Sequence, residues 1–267
     1  MAGSGRWVRS AHVAQSYDRL ASDYEQNWLN RLSPITDRFL DRIPSTQMRH
    51  ILDLGCGTGH SIQYLVQKYP TANIHAQDIS QKMINIAKGR LPSVQFTCSD
   101  MLNFMKGQPP KSANLIVSAW SIGYSHPRRI LREAVRVLTD KGYFAFIVNL
   151  ADTLRPIYIA FRKTMQEHPD KLKALALPHF PSSLKQLLRP TRAHSLGLLW
   201  SEQEKIQIGH TNDISLDWLL RTGILAGFDS MLPLAANSDI AASFTRFIHE
   251  QNSPIEHHYI AAILQKQ

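Results

Sequence analysis

From residue 50 to residue 149, short apolar runs of strand length alternate with segments of helical period, and that rhythm constrains the fold more than any other feature of the chain. Strands are expected at residues 50–54, 73–77, 94–98, 113–119 and 142–149. Between them, residues 61–69, 80–90 and 127–138 read as helices, with Ser80 capping the second and Pro127 at the favoured first position of the third. Strands that each lead into a helix before the next strand line up in parallel, with helices over both faces of the sheet. A sheet of this kind collects ligands at the carboxyl ends of its strands.

The flanks follow other patterns. Val13, Tyr17, Leu20 and Tyr24 recur at helical spacing, as do Leu29, Leu32, Phe39, Leu40 and Ile43. Pro34 is expected to divide residues 11–43 into two helices, with Ser33 as a cap. Residues 151–204 break the rhythm, with Pro156, Pro169, Pro178, Pro181 and Pro190 among helical pieces such as 155–167. That stretch is rich in Leu, Phe and Trp, which suits a cap inserted over the sheet better than an independent domain. A short strand at 205–210, a helix at 217–225, a strand at 228–234, a helix at 239–250 and a last strand at 258–264 are expected to follow.

Composition excludes several classes. With 43% apolar and 19% charged residues among 267, the chain is neither disordered nor a disulfide scaffold, and it can bury the core of one elaborated domain or of two small ones. Its two cysteines, Cys56 and Cys98, point to a reducing compartment. No apolar run nears the roughly 18 residues of a membrane span, and the first ten residues lack the apolar run of a signal peptide, so a cytoplasmic location is expected. The twelve histidines form neither H-x-x-x-H nor H-E-x-x-H, and neither cysteine has a C-x-x-C partner, so no metal site is expected.

The sharpest motif is Ile51-Leu52-Asp53-Leu54-Gly55-Cys56-Gly57-Thr58-Gly59, set between the first strand and the first helix. Glycines there accept φ > 0 and let a ligand approach the main chain with no Cβ in the way. The spacing G-x-G-x-G is not the G-x-G-x-x-G of a dinucleotide site, and no G-K-[ST] ending is present to cradle a triphosphate. About 20 residues further on, Asp78 closes the second strand, where a carboxylate accepts hydrogen bonds from ribose hydroxyls and repels a 2′-phosphate. Asp100 closes the third strand, placed to accept from an adenine amino group. Each residue also has a plainer role open to it: a tight turn for the glycines, a helix cap for Asp78, a loop aspartate for Asp100.

In LDLGCGTG at 52–59, QDIS at 77–80 with Met83, SDM at 99–101 and LREAVRVLTDKGYF at 131–144, the chain resembles the class I S-adenosylmethionine-dependent methyltransferases. The resemblance covers residues 45–150 and implies S-adenosyl-L-methionine as the cofactor. On it, Gly55, Cys56, Gly57 and Gly59 would pass the methionine part, Asp53 would help hold its ammonium, and Asp78 would hold the ribose. Ile79 and Met83 would sandwich the adenine, Asp100 and Met101 would meet its edge, and Ala119 at the end of the fourth strand joins the cofactor set. The segments Tyr17-Asp18-Arg19-Leu20-Ala21 and Tyr24-Glu25 are similar to the methyltransferases of quinone and biotin biosynthesis, whose N-terminal helix folds over the cofactor as a lid; Tyr17 and Tyr24 would then touch it. Aromatics at helical spacing also serve as core.

The fold implied is a Rossmann-like mixed seven-stranded sheet with helices on both faces. Within one domain of 1–267, residues 1–45 would be the lid, 46–150 the cofactor-binding core, 151–210 an inserted substrate cap and 211–267 the completion of the sheet. Two departures stand out. Lys141-Gly142 replaces the family's Gly-Gly before the fifth strand. The fourth strand ends Ser118-Ala119-Trp120-Ser121-Ile122-Gly123-Tyr124, with neither Asn-Pro-Pro-Tyr nor a cluster of metal-binding carboxylates, which leaves the acceptor chemistry open.

The expected function is methyl transfer by in-line displacement to a small, apolar metabolite held under the cap. His126, near where the methyl would emerge, is the candidate base, with a surface-loop histidine as the plainer reading. Trp120, Tyr124, His179 and Trp200 are candidates for lining the acceptor. The net charge of +9 favours, as the alternative, an acyl chain on an acidic carrier protein. RNA is disfavoured because no basic run or accessory RNA-binding motif is present, and a non-methylating role stays open because fold does not fix function. Arg128, Arg132 and Arg136 align at four-residue spacing, as a solvated face or as a binding patch.

Overall fold

The computed structural model describes residues 10–173, 180–189, 195–226 and 231–267. The chain enters through α1 (Ser10–Leu20), a π-helical turn (Glu25–Leu29) and α2 (Asn30–Asp41). The alternating region then gives β1 (His50–Leu54), α3 (His60–Lys68), β2 (Asn73–Asp78), α4 (Gln81–Arg90), β3 (Gln95–Cys98), α5 (Met101–Gly107), β4 (Ala113–Ala119), α6 (Pro127–Val137) and β5 (Leu138–Asn149). After it come α7 (Arg155–Glu167), α8 (Leu184–Leu188), β6 (Leu196–His210), α9 (Leu216–Leu220), α10 (Ser238–His249) and β7 (Pro254–Lys266).

The seven strands form one sheet in the order β3-β2-β1-β4-β5-β7-β6. Strands β1 to β5 pair in parallel, and β7 runs antiparallel to β5, with Asn149 opposite Tyr259. Right-handed crossovers from β1 to β2 to β3 put α3 and α4 on one face; the chain then returns to β4, which puts α5 and α6 on the other. Because both faces are covered, the central strands are apolar on both: Ile51, Leu54, Leu115, Ile116 and Val117 are fully buried. The order reverses between β1 and β4, so their carboxyl ends open a crevice at this switch point.

By internal packing the chain divides into two units, with the division falling inside β6 and β7. One comprises Leu32–Ala151, Pro178–Glu204 and Tyr259–Gln267 and holds the glycine loop. Its core gathers Leu52, Leu54, Ile116, Phe144 and Phe146 from the sheet with Met105, Ile130, Leu131 and Ala134 from α5 and α6. The other comprises Met1–Arg31, Asp152–Leu177 and Lys205–His258. There α7 packs on α10 through Phe161 and Phe244, with ring centroids 4.8 Å apart, and Glu167 and Arg246 tie the same pair at 2.6 Å. Trp28 anchors a second cluster with Trp218 and His257, and burial pushes the His257 imidazole down to about 4. Among the described residues, no helix is long and apolar enough to cross a membrane.

Three expectations need correction. Pro34 does not divide a helix: α2 runs through it, and the break falls in the turn at residues 21–23. Pro34 removes one amide donor, and α2 continues through it because the helix buries Leu32, Ile35, Phe39 and Leu40. The sheet gains no strand at 231–234, where the chain turns, and residues 227–230 lie outside the described residues. The strand beside β7 is instead the fifteen-residue β6, whose Leu196–Glu204 part falls in the stretch expected to be cap.

Candidate functional site

The glycine loop is shaped by three residues in the left-handed region, Gly55 (φ 72°), Gly57 (φ 55°) and Gly59 (φ 96°). Two of them differ in what surrounds them. A Cβ on Gly55 would lie 2.3 Å from that of Ser121, whereas a Cβ on Gly57 would meet nothing within 4 Å, so this face of the loop is open. Ser121 is close because its hydroxyl donates to the Leu54 carbonyl at 2.5 Å; Ser118 donates to the same oxygen at 3.2 Å. These serines sew the end of β4 to the end of β1. Gly55→Ala is therefore expected to lower the melting temperature by several degrees and to disrupt the loop, since the residue combines left-handed strain with a blocked Cβ. Thermal unfolding of the variant beside Gly57→Ala, which has the space, separates the clash from the strain.

Asp78 holds the loop from the adjacent strand. One carboxylate oxygen accepts from the Gly57 amide at 2.8 Å and the other from the Ser80 amide at 2.8 Å. Gln77 assists: its carbonyl takes the Gly55 and Cys56 amides, and its side-chain nitrogen donates to the Ser99 carbonyl at 2.5 Å. The Ser80 hydroxyl caps α4 by accepting from the Met83 amide, so the cap role lies mainly with Ser80. Asp100 caps α5, accepting from Leu102 and Asn103 at 3.0 and 3.1 Å, a contact of about 1 kcal/mol. Ile79 is half-buried, while Met83 and Met101 are buried.

Beneath the loop lies Asp53, buried and accepting from the Ser61 hydroxyl at 2.5 Å through one oxygen. Burial raises its carboxyl to about 7; the Ser61 bond opposes that rise and the charge of Asp78 adds to it. Its second oxygen and the Thr58 hydroxyl are buried with no partner among the described residues. Burial likewise pushes the Cys56 thiol well up, with Asp78 and Asp53 adding to the effect, so this cysteine is a packed loop residue and no nucleophile.

At the end of β4, Ala119 is half-buried and Trp120 is held in the left-handed region at φ 66°. Its amide donates to the Ile147 carbonyl, its indole donates to the Thr36 hydroxyl at 3.0 Å, and its ring meets Tyr259 edge to face at 4.9 Å. The Tyr259 hydroxyl donates to Glu204 at 2.6 Å, and Glu204 pairs with Arg38 at 2.6 Å. Burial, then the Glu204 hydrogen bond, pushes the Tyr259 hydroxyl up. The sequence singles out Trp120 but carries no sign of Thr36 and Tyr259, which fix it, or of Glu204, which holds Tyr259.

Of the remaining candidates, Tyr124 packs edge-on to Phe180 at 5.6 Å. His126 is exposed at the start of α6. Trp200 lies on β6 under the Arg42 guanidinium, 5.8 Å from its ring centre. Tyr17 and Tyr24 sit in the other unit, their rings 6.1 Å apart. His179 lies outside the described residues. Gly55, Cys56, Gly57, Gly59, Asp53, Asp78, Met101 and Trp120 are thus brought to the carboxyl ends of β1, β2 and β4.

Residues 51–142 match the family described as Methyltransferase domain. Trans-aconitate 2-methyltransferase of Escherichia coli is 32% identical over 136 residues, 49% of this chain and 52% of that enzyme. The Delftia acidovorans enzyme of the same name is 37% identical over 83 residues, 31% of each chain. The chain thus spans about a third to a half of the curated relatives it matches. Among solved structures, a Haloferax volcanii methyltransferase in complex with the Trm112 methyltransferase activator superposes with a TM-score of 0.60 at 16% identity, covering 95% of this chain and 97% of that one. Geranyl diphosphate methyltransferase in complex with SAM gives 0.55 at 15% identity, covering 90% and 87%. The [4+2]-cyclase SpnF gives 0.54 at 18%, covering 90% and 82%. Strand order and glycine loop agree with that match: residues 51–142 are a methyltransferase domain, and the chain has the Rossmann-like fold of its class I methyltransferase neighbours.

Proposed function

We propose that the chain binds S-adenosylmethionine at the glycine loop and transfers its methyl group to a small-molecule acceptor. One observation carries the reading: Asp53, two residues before the glycine loop, keeps its second carboxylate oxygen buried and unpartnered among the described residues, while the loop itself leaves open space at Gly57. A buried acceptor of this kind is costly unless a donor reaches it, and the ammonium of the cofactor, directly or through the loop, supplies one. When bound, the cofactor supplies a sulfonium-activated methyl group. Asp78 would orient the ribose while keeping the loop in shape, Ile79 and Met83 would flank the adenine, and Asp100 and Met101 would meet its edge. Trp120, fixed by Thr36 and Tyr259, would form a rigid wall beside the reacting atoms. Positioning of this kind supplies roughly 7–11 kcal/mol of the barrier in favourable cases. His126 is the base in this reading where the acceptor must lose a proton.

The acceptor of the relatives by name, trans-aconitate, is a small metabolite, which supports a small molecule here. The net charge of +9 supports a second reading, an acyl chain on an acidic carrier protein. Since the cyclase SpnF shares the fold, methyl transfer itself has to be tested. S-adenosylmethionine is expected to raise the melting temperature, and labelled methyl from it is expected in a product of low mass. Label on a protein band supports the carrier reading, and a thermal shift with no label in any fraction sinks methyl transfer.

A further inference from the structure

A concave site lies at the start of α6, in the unit that also holds the glycine loop, with His126 on its lining. It is a surface cleft of about 360 Å³, near the lower end for small-molecule sites. One wall is the start of α6, with Arg128, Arg129 and Arg132; the other is apolar, with Phe180, Pro181 and Leu187. The three arginines are exposed, and none has a carboxylate within 4.0 Å among the described residues; Arg128 reaches only the Gln186 carbonyl, at 3.5 Å. Arg136, further along the helix, differs. It is spent on Glu133 and on the Gln108 and Met105 carbonyls, so it holds α6 to the end of α5.

Both walls are fixed before any ligand arrives. α6 buries Ile130, Leu131, Ala134 and Val137 in the core. The opposite segment is pinned by the Ala151 amide donating to the Pro181 carbonyl at 3.0 Å and by Leu187, which is buried. Phe180 presses on Gly123, where a Cβ would lie 2.5 Å from the ring, and on Tyr124. The cleft therefore adjoins the segment that closes β4. Three uncompensated guanidiniums repel one another, and an oxyanion able to take paired N–H donors from them relieves that repulsion.

We propose that this cleft holds the oxyanion end of an amphipathic small molecule, with the arginines on its phosphate or carboxylate groups and Phe180, Pro181 and Leu187 on its apolar part. That this molecule is the methyl acceptor rests on the function proposed above; that the cleft binds it does not. Inorganic pyrophosphate and citrate, titrated calorimetrically into the full chain without S-adenosylmethionine, distinguish the two kinds of head. One-to-one binding of either is expected. The double variant Arg128→Ala/Arg132→Ala should weaken it by at least about tenfold. Lys88→Ala, at an exposed cation outside the cleft, should leave it unchanged. Binding of pyrophosphate alone assigns a phosphate head, and of citrate alone a carboxylate head. Failure of both to bind, or weakening that is equal in the Lys88 variant, overturns the site. Binding at the cleft with no methyl transfer overturns only the acceptor role.

Discussion

Asp78→Ala is expected to remove the rise in melting temperature that S-adenosylmethionine gives the native chain. A ligand at a hundredfold excess over its Kd stabilises by about 2.7 kcal/mol, which for a chain of this size is roughly 5–10 °C. Asp78 makes two charge-assisted hydrogen bonds to the backbone, to Gly57 and Ser80, at 2.8 Å each. Bonds to charged groups contribute about 1.5–3 kcal/mol apiece. Alanine frees the loop as well as removing the proposed ribose contact, so donor affinity should fall at least about a hundredfold. Asp78→Asn separates the two effects. The amide keeps an acceptor for one backbone N–H, so the ligand-free fold should recover much of its stability while the thermal shift stays small. A full shift in the alanine variant would show that the ribose is held elsewhere.

The glycine loop and the carboxylates around it are legible in the sequence because their parts are local. Glycines at 55, 57 and 59 and aspartates closing successive strands are set by the βαβ rhythm itself. The Trp120 wall was not, because its partner Thr36 is 84 residues away and Tyr259 comes from β7. Strand β6 was misread for a different reason. It lies at the sheet edge, its burial alternates along Glu202–Ile206, and its polar middle, Ser-Glu-Gln-Glu-Lys, separates an apolar start at 196–200, which reads as cap, from the end, which reads as a short strand. Helix α5 gives no clear period because it has only seven residues, although Met101, Leu102, Phe104 and Met105 mark its buried side. The arginines of α6 appeared as an even stripe; only the tertiary structure separates Arg136, which is spent, from those facing the cleft.

Asp53→Asn is expected to stabilise the ligand-free chain above pH 7 while weakening donor binding. The Asp53 carboxyl sits at about 7 in the fold against 3.8 for the unperturbed group, so the native state binds the extra proton between those values. Stability from this residue is thus fully present below about pH 4 and is lost as pH rises through 7. About three pKa units correspond to about 4 kcal/mol, the order of the cost of holding the buried carboxylate charged. Asparagine carries no such charge, and the Ser61 hydroxyl can turn to suit the amide. The melting-temperature difference between variant and parent should therefore be several degrees at pH 8 and shrink toward zero near pH 4. Groups shifted the other way, such as Glu204 beside Tyr259 and Arg38, cancel in that comparison. If the unpartnered oxygen serves the cofactor's ammonium, the variant should lose most of the S-adenosylmethionine shift even as it gains intrinsic stability. A variant that is less stable than the parent at pH 8 would mean that burial does not raise this carboxyl. One that keeps the donor shift would remove Asp53 from the cofactor site.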